Sequence, residues 1–166
     1  MSMFLPRRER ETMARETQQG SNPLQESLDL ARRTILASDT VSAVVVKDGK
    51  ILTVTMGQGV QPLIDLLHRL GKEVRGAVLG DKIVGRAPAW VAVAHQIAGV
   101  YARLITPAAR EILQRHGIAV DFRDETPVIL SPDGATPCPL EVALESVSEL
   151  GEALEVLRAH PLVTLP

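Results

Sequence analysis

Short apolar stretches alternate with segments of helical pattern between residues 76 and 122, and this alternation constrains the fold most strongly. Strands are predicted at 76–79, 100–105 and 118–122, with one helix between each neighbouring pair. Strands joined by single helices run parallel, and each connecting helix must pack back onto the sheet. The pattern therefore predicts an α/β fold, a three-layer α/β/α sandwich with helices on both faces of one sheet.

A β-hairpin is predicted before this region. Two β-branched runs, 42–46 and 51–55, lie on either side of the dipeptide Asp48-Gly49. An Asp-Gly pair readily takes the positive φ angles that a tight hairpin turn needs. Because hairpin strands are antiparallel, the complete sheet is expected to be mixed and to start with this hairpin.

Helices are predicted around the hairpin and towards the C-terminus. Residues 24–36 place apolar side chains at helical spacing behind Ser21 and Asn22, either of which can cap the first turn. Residues 80–82, Gly-Asp-Lys, are predicted to form a turn between a strand and a helix. The remaining predicted helices cover 60–70, 86–98, 107–116 with Thr106 as N-cap, and 138–157 with a break at Gly151.

The length of 166 residues suits one domain with a single buried core. Residues 1–22 combine low hydrophobicity with mixed charge, so they bury too little apolar surface to offset their ordering entropy. We therefore predict a disordered tail at 1–22, one domain at 23–158 and a short C-terminal tail at 159–166.

The composition excludes several classes of function. With 18 Lys and Arg against 20 Asp and Glu, the net charge is −2, so no global positive field attracts nucleic acid. Four aromatic residues are too few for a base-stacking platform. The chain shows no apolar leader and no stretch of about 20 apolar residues, which predicts a cytoplasmic protein. Neither nucleic acid nor a membrane is an expected partner.

Four segments of the chain carry a resemblance to a known family. They are the hairpin SAVVVKDGKILTV, the segment GAVLGDKIVGRAPAW, the segment VYARLITPAAREILQRHGIAV and the closing PCPLEVALE. In this order, over residues 24–148, the chain resembles an uncharacterised prokaryotic domain-of-unknown-function family of the cytidine-deaminase-like superfamily. The resemblance implies a cytidine-deaminase-like fold, and it implies no particular reaction because the family has no established one.

The chain departs from the zinc deaminases at their metal site. Those enzymes carry His or Cys plus a Glu at the start of the helix after the hairpin, and a cysteine pair at the start of the next helix. Here the two places hold GQGVQ at 57–61 and KIVGR at 82–86. The segment PCPLE at 137–141 resembles the cysteine motif, but it follows the last strand. We therefore predict no zinc and no other cofactor.

Lys82 is the first candidate for chemistry, because it is predicted just beyond the carboxyl end of a central strand, where open α/β sheets bind ligands. Its amine could hold an anion or act as a nucleophile or base. Asp81 is a candidate proton carrier beside it. The alternative is a surface turn in which Asp81, Lys82 and Arg86 form a charge cluster at a helix start.

Cys138 is the second candidate nucleophile. It is predicted to open a helix, where unpaired amide groups favour a thiolate. Glu141, one turn further on, is its candidate proton carrier. The alternatives are that Cys138 is a small buried hydrophobic residue and that Glu141 only solvates the helix start.

A ligand-binding cleft is expected from the resemblance. Gly57, Gln58 and Gly59 occupy the place of the first zinc ligands of true deaminases and are expected to contribute backbone amides. Gly85 and Arg86 are expected to line the same cleft. The four histidines show no metal-ligand spacing.

Together these residues predict a metal-free deaminase-like domain that acts on a small polar or nucleotide-derived ligand through a cleft containing Lys82 and Cys138. Two alternatives stay open. In the first, the domain is a ligand-binding or sensing module without catalysis. In the second, it is a structural subunit of a homo-oligomer. Whether it is an enzyme is left open, because no segment holds a complete set of acid, base and nucleophile.

Overall fold

The computed structural model describes residues 6–8 and 22–166. The predicted cap Ser21 and nearly all of the predicted tail at 1–22 lie outside these residues. The helices of the second range are α1 (Pro23–Ala37), α2 (Gln61–Leu70), α3 (Arg86–Ala94), α4 (Pro107–Arg115), α5 (Pro139–Ala143) and α6 (Leu150–Ala159). The strands are β1 (Val41–Lys47), β2 (Lys50–Met56), β3 (Val78–Val84), β4 (Gly99–Ile105) and β5 (Ala119–Glu125). None of these helices combines the length and the apolar character needed to cross a lipid bilayer.

The five strands form one mixed sheet in the order β2-β1-β3-β4-β5. Strand β1 pairs antiparallel with β2 in the hairpin and antiparallel with β3. Strands β3, β4 and β5 run parallel, and α3 and α4 are the helices that connect them. This order confirms the mixed sheet that starts with a hairpin.

Helices cover both faces of the sheet, which confirms the three-layer sandwich. Among the described helices, α1 is the one that packs on one face, where Leu28, Ala31 and Ile35 contact the sheet around Val44 and Tyr101. The opposite face carries the larger core, built from α2 to α6 around the fully buried Trp90. The two helical layers are therefore unequal, and most of the buried apolar surface lies on the side of α2 and α3.

Gly80 explains how closely α1 approaches the sheet. A Cβ atom at this position would lie 2.8 Å from Val44 Cγ1, 3.0 Å from Ile35 Cγ1 and 3.2 Å from Ala31 Cβ. Any larger residue would push the helix away, because packed interiors leave no room for an added methyl group.

Local signals in the sequence account for the element boundaries that were predicted correctly. The Asn22 side chain accepts a hydrogen bond from the Leu24 amide at 3.1 Å and caps α1. Thr106 Oγ1 accepts one from the Ala109 amide at 3.1 Å and caps α4. The hairpin turn places Asp48 at φ 52° and Gly49 at φ 73°, as its sequence predicts.

Strand β3 is longer than predicted, and the predicted turn at 80–82 is wrong. Gly80, Asp81 and Lys82 continue the strand to Val84. Strand β1 hydrogen-bonds one edge of β3 as far as Asp81, and β4 pairs along the other edge. These two neighbours supply partners for the backbone, so tertiary pairing overrides the local preference of a Gly-Asp pair for a turn.

Two predicted helices are also corrected. Helix α3 ends at Ala94 and not at 98, because Gln96 takes a positive φ of 56° and the chain turns towards β4. The helix predicted at 138–157 is two helices, α5 and α6, and the break lies before Gly151.

Residues 160–166, predicted as part of a C-terminal tail, pack against the rest of the domain. Val163 is buried in the larger core. The Gln61 side chain at the start of α2 accepts a hydrogen bond from the Thr164 amide at 2.8 Å and donates one to its carbonyl oxygen at 2.9 Å. The end of the chain is therefore tied to α2.

Candidate functional site

The predicted site residues lie at one end of the sheet. The parallel strands β3 and β4 end there, and α3 and α4 begin immediately after them. Strand β1 runs antiparallel to β3, and β2 runs antiparallel to β1, so β2 has the same direction as β3. Strand β2 therefore also ends there, and α2 begins there. This is the end at which open α/β sheets bind their ligands.

Asp81 occupies the centre of a row that crosses all five strands. On the face covered by α2 and α3, the backbone pairing places Thr55, Ala43, Asp81, Ala102 and Phe122 side by side. The preceding row is more apolar, with Thr53, Val45, Leu79, Val100 and Val120. On β3, Asp81 thus occupies the place that Leu79 has in the preceding row. Ala43 and Ala102 are its neighbours on the two adjacent strands.

The surroundings of Asp81 change its acidity. Burial raises its pKa to about 7, and backbone hydrogen bonds from Ile83 and Lys82 oppose this rise. The Ile83 amide donates to Oδ1 of Asp81 at 3.2 Å. Strand β1 has stopped pairing with β3 at this point, so the Asp81 side chain takes over the role of a strand partner. A carboxyl group of this kind can exchange a proton near neutral pH.

Lys82 points away from Asp81, because neighbouring side chains in a strand lie on opposite faces. Its Nζ donates a hydrogen bond to the Asp39 carbonyl oxygen in the loop after α1. Lys82 therefore belongs to the face of the sheet that α1 covers.

Cys138 lies on the other face. It is partly buried and packs against the larger core, and its amide donates to the Ile129 carbonyl oxygen at 2.8 Å. The residue does precede α5, as predicted, but α5 has only five residues. Lys82 and Cys138 are thus on opposite faces of the sheet, and the predicted cleft shared by these two residues is wrong.

Glu141 is bound to the start of α3. One carboxylate oxygen accepts a hydrogen bond from the Arg86 amide at 2.5 Å, and the other lies 3.1 Å from Arg86 Nη1. The Glu141 side chain is only 8% exposed. Helix α3 has no cap from its own N-cap residue, so this carboxylate takes the place of one and meets the positive end of the helix dipole.

Gly85 makes room for this contact. A Cβ atom at Gly85 would overlap the Glu141 carboxylate and would lie 2.7 Å from Ile129 Cδ1. The predicted pair Gly85 and Arg86 is therefore brought together with Glu141, but the side chain of Glu141 fills the space that a ligand was expected to use. The predicted partnership of Glu141 with Cys138 is replaced by the pair with Arg86.

Residues 57–59 form the turn between β2 and α2, at the same end of the sheet as Asp81. Gly57 and Gly59 have φ angles of 119° and 78°, which glycine adopts without strain. Helix α2 follows with no side-chain cap at Val60. The ligand-binding role predicted for Gly57, Gln58 and Gly59 stays a prediction.

The described residues contain no group of three or more His, Cys, Asp or Glu side chains arranged to hold a metal ion. Two histidines instead have structural partners. The Nδ1 atoms of His95 and His116 lie 2.8 Å from the carbonyl oxygens of Val91 and Ile112, one turn earlier. The His116 ring also meets the edge of Trp90, with ring centroids 5.3 Å apart.

The Glu141 to Arg86 contact is the feature that sequence reasoning missed. Glu141 was singled out, but its partner lies 55 residues away along the chain. The only local signal for it is the absence of Ser, Thr, Asp or Asn at the start of α3, which leaves that helix without a nearby cap.

A comparison with protein-family models matches residues 31–160 to a domain of unknown function, DUF1893. The chain belongs to the DUF1893 family. This confirms the expected resemblance to a family of unknown function. A comparison with curated proteins found no match.

Solved structures also resemble this DUF1893 domain. A DUF1893 family protein from Thermotoga maritima has a TM-score of 0.67 at 20% identity, covering 82% of this chain and 88% of that one. The apo dCMP deaminase of cyanophage S-TIM5 has a TM-score of 0.43 at 17% identity, covering 63% and 99%. RibD from Acinetobacter baumannii has a TM-score of 0.42 at 22% identity, covering 60% and 33%. The first similarity shows a shared fold, and the other two are too low to support any statement about activity.

The Glu141 contact generates a stability prediction for the DUF1893 domain. We expect Glu141→Ala to lower the free energy of unfolding by about 2 kcal/mol, because α3 loses its cap and Arg86 loses its partner. Gly85→Ala should also destabilise, since its Cβ overlaps the carboxylate. Urea unfolding of both single variants, the double variant and wild type measures the coupling. Gly85→Ala should cost less when Glu141 is already alanine, and equal costs in both backgrounds would show that the two residues act independently.

The raised pKa of Asp81 predicts that stability depends on pH. The folded chain holds a proton on Asp81 up to pH about 7, whereas an unfolded chain releases it near pH ~4. The protein should therefore lose stability as pH rises from 4 to 7. Asp81→Asn keeps an oxygen for the Ile83 amide but cannot ionise. We expect it to be more stable than wild type at pH 8, with the difference vanishing towards pH 4.

Thermal melts of wild type and Asp81→Asn across this pH range provide the measurement. Asp133→Asn is a suitable control, because Asp133 is exposed and likewise accepts a backbone amide hydrogen bond two residues on. A constant difference between Asp81→Asn and wild type at every pH would rule out the raised pKa.

Proposed function

We propose that this DUF1893 domain binds a small polar ligand, with Asp81 as the group that recognises it. The observation that carries the proposal is the position of Asp81 in the sheet. It is the only ionisable residue in its row, and it lies between Ala43 and Ala102. It is on the face of the sheet that α2 and α3 cover, at the end where both helices begin. Alanine side chains cover less of a neighbouring carboxyl group than branched ones would, and Asp81 is partly exposed. A row meant only for packing would carry branched apolar side chains here.

The protonation of Asp81 indicates the class of ligand. With a pKa of about 7, both forms of the carboxyl group are populated at neutral pH. The protonated form offers one donor and one acceptor side by side, which matches the N–H and ring nitrogen along the edge of a nitrogen heterocycle. The ionised form accepts from a cationic amine or amidine. A nucleobase, a nucleoside or a related small heterocycle fits these properties.

The structure leaves fewer candidate catalytic residues than the sequence suggested. Lys82 and Cys138 do not share a cavity with one another, and Glu141 is engaged by Arg86. Asp81 is the remaining proton carrier of the predicted set. An enzyme built on this site would therefore move a proton to or from its ligand by general acid–base chemistry, without a covalent intermediate.

Thermal-shift screening tests the binding proposal. A ligand present at 100 times its Kd should stabilise the native state by about 2.7 kcal/mol and raise the melting temperature by several degrees. Nucleobases, nucleosides and nucleotides form the first panel. We expect at least one of them to raise the melting temperature of wild type but not of Asp81→Asn.

Two controls make this screen decisive. Asp133→Asn removes a carboxylate from an exposed turn and should respond to the ligand as wild type does. Lys82→Ala changes the neighbouring residue on the opposite face and should also respond. A ligand that stabilises wild type and Asp81→Asn equally would contradict the role of Asp81.

A second candidate function, a structural subunit of a homo-oligomer, is favoured by a contrast between the two edges of the sheet. The outer strand β5 ends in the exposed charged residues Arg123, Asp124 and Glu125. The outer strand β2 instead exposes Ile51, Leu52, Val54 and Met56 to between 38% and 63%. Charged residues protect a sheet edge against pairing with another chain, and β2 has only Lys50 at its start. Two copies of β2 could pair antiparallel across a two-fold axis.

Size-exclusion chromatography with light scattering tests this candidate. Wild type should have twice the mass of the 17.9 kDa chain, and Val54→Lys should have the mass of one chain. Asp133→Asn changes the net charge by the same amount at an exposed turn and should leave the mass unchanged. A wild-type chain that stays monomeric at high concentration would exclude this function.

A further inference from the structure

A basic hollow lies at the other end of α2 and α3 from Asp81. It has a volume of about 250 Å³ and lies between the C-terminal turns of the two helices and the 3₁₀ turn at Gly71–Val74. The ten residues of α2 separate it from the Asp81 end by about 15 Å. Its charged and basic lining consists of His68, Lys72, Arg75 and His95.

The lining of this hollow is basic and contains no acidic residue. Lys72, Arg75 and two histidines line one hollow with no carboxylate among the lining residues, although the protein as a whole has a net charge of −2. Within residues 22–166, none of the four forms a salt bridge, and only His95 has a side-chain hydrogen bond, to the Val91 carbonyl oxygen. Lys72 and Arg75 carry like charges with no counter-charge in the lining, and an anion in the hollow would be attracted to both.

Helix dipoles account for only part of this cluster. The C-terminal end of a helix favours positive charge, which explains His68 in the last turn of α2 and His95 at the end of α3. Lys72 and Arg75 come after α2 has ended, in and just after the 3₁₀ turn. Both residues are exposed and line the same hollow as the two histidines.

We propose that this hollow binds the phosphate group of a small phosphorylated molecule. Arg75 can offer a planar pair of N–H donors, and Lys72 adds a compact charge, the two modes by which proteins hold phosphate oxygens. Pockets for drug-sized ligands begin at about 300 Å³, so a hollow of this size suits a phosphate group with its remaining atoms in solvent. The site lies apart from Asp81 and does not depend on the function proposed above.

A titration with inorganic phosphate, followed by amide NMR of the full chain, tests the proposal. Phosphate should produce saturable shifts at the residues of the hollow, and sulfate should do the same because it matches phosphate in shape and charge. Acetate at the same ionic strength should produce none. Binding should weaken as salt is added, since the lining is partly exposed.

Paired variants decide whether the hollow itself is responsible. Lys72→Ala with Arg75→Ala should lower the phosphate affinity at least about tenfold, because two charge-assisted contacts are removed. The matched control is Lys50→Ala with Arg158→Ala, which removes the same charge from exposed positions on β2 and α6. The control should keep wild-type affinity.

Three outcomes would overturn the proposal. They are the absence of saturable shifts, shifts spread over the surface, and equal loss of affinity in the two double variants. The last two would show that phosphate responds only to overall charge. Asp81→Asn should bind phosphate as wild type does, so failure of this site and failure of the Asp81 site can be told apart.

Discussion

The pairing of β3 on both edges is the constraint on which the rest of this structure depends. Its antiparallel contact with β1 attaches the hairpin, and its parallel contact with β4 attaches the alternating strands and helices. One strand thereby joins two units that differ in strand direction into a single sheet. Because side chains alternate along a strand, the same pairing also sends Gly80 and Lys82 to the face of α1 and Asp81 to the opposite face.

The two faces of the sheet therefore have different packing requirements. On the face covered by α1, the absence of a side chain at Gly80 allows the helix to lie close to Val44. On the face covered by α2 and α3, the row with Val45, Leu79 and Val100 is apolar on the three central strands. The next row places Asp81 between two alanines. Neighbouring residues of one strand therefore serve a close helix contact on one face and carry an ionisable side chain on the other.

The C-terminal part of the chain completes the end of the domain where a ligand is expected. Glu141 caps α3 from 55 residues away, and Gln61 at the start of α2 holds the backbone of Thr164. Both contacts bring later parts of the chain onto the first turns of helices. In the zinc deaminases these first turns carry the metal ligands. Here Glu141 accepts the Arg86 amide at the start of α3, whereas the Gln61 side chain at the start of α2 holds the backbone of Thr164.

Much of the architecture could be predicted because its signals are local. The Asp48-Gly49 turn, the caps Asn22 and Thr106 and the apolar spacing of α1 each depend on residues within a few positions of one another. Sequence alone also identified Asp81, Glu141 and Arg86 as residues of interest. Their partners were decided only by the tertiary structure, since strand alternation separates Lys82 from Cys138 and since Glu141 finds Arg86 across the fold. A sequence specifies which groups are present and which short segments they favour, but contacts between distant residues exist only after the sheet has been assembled.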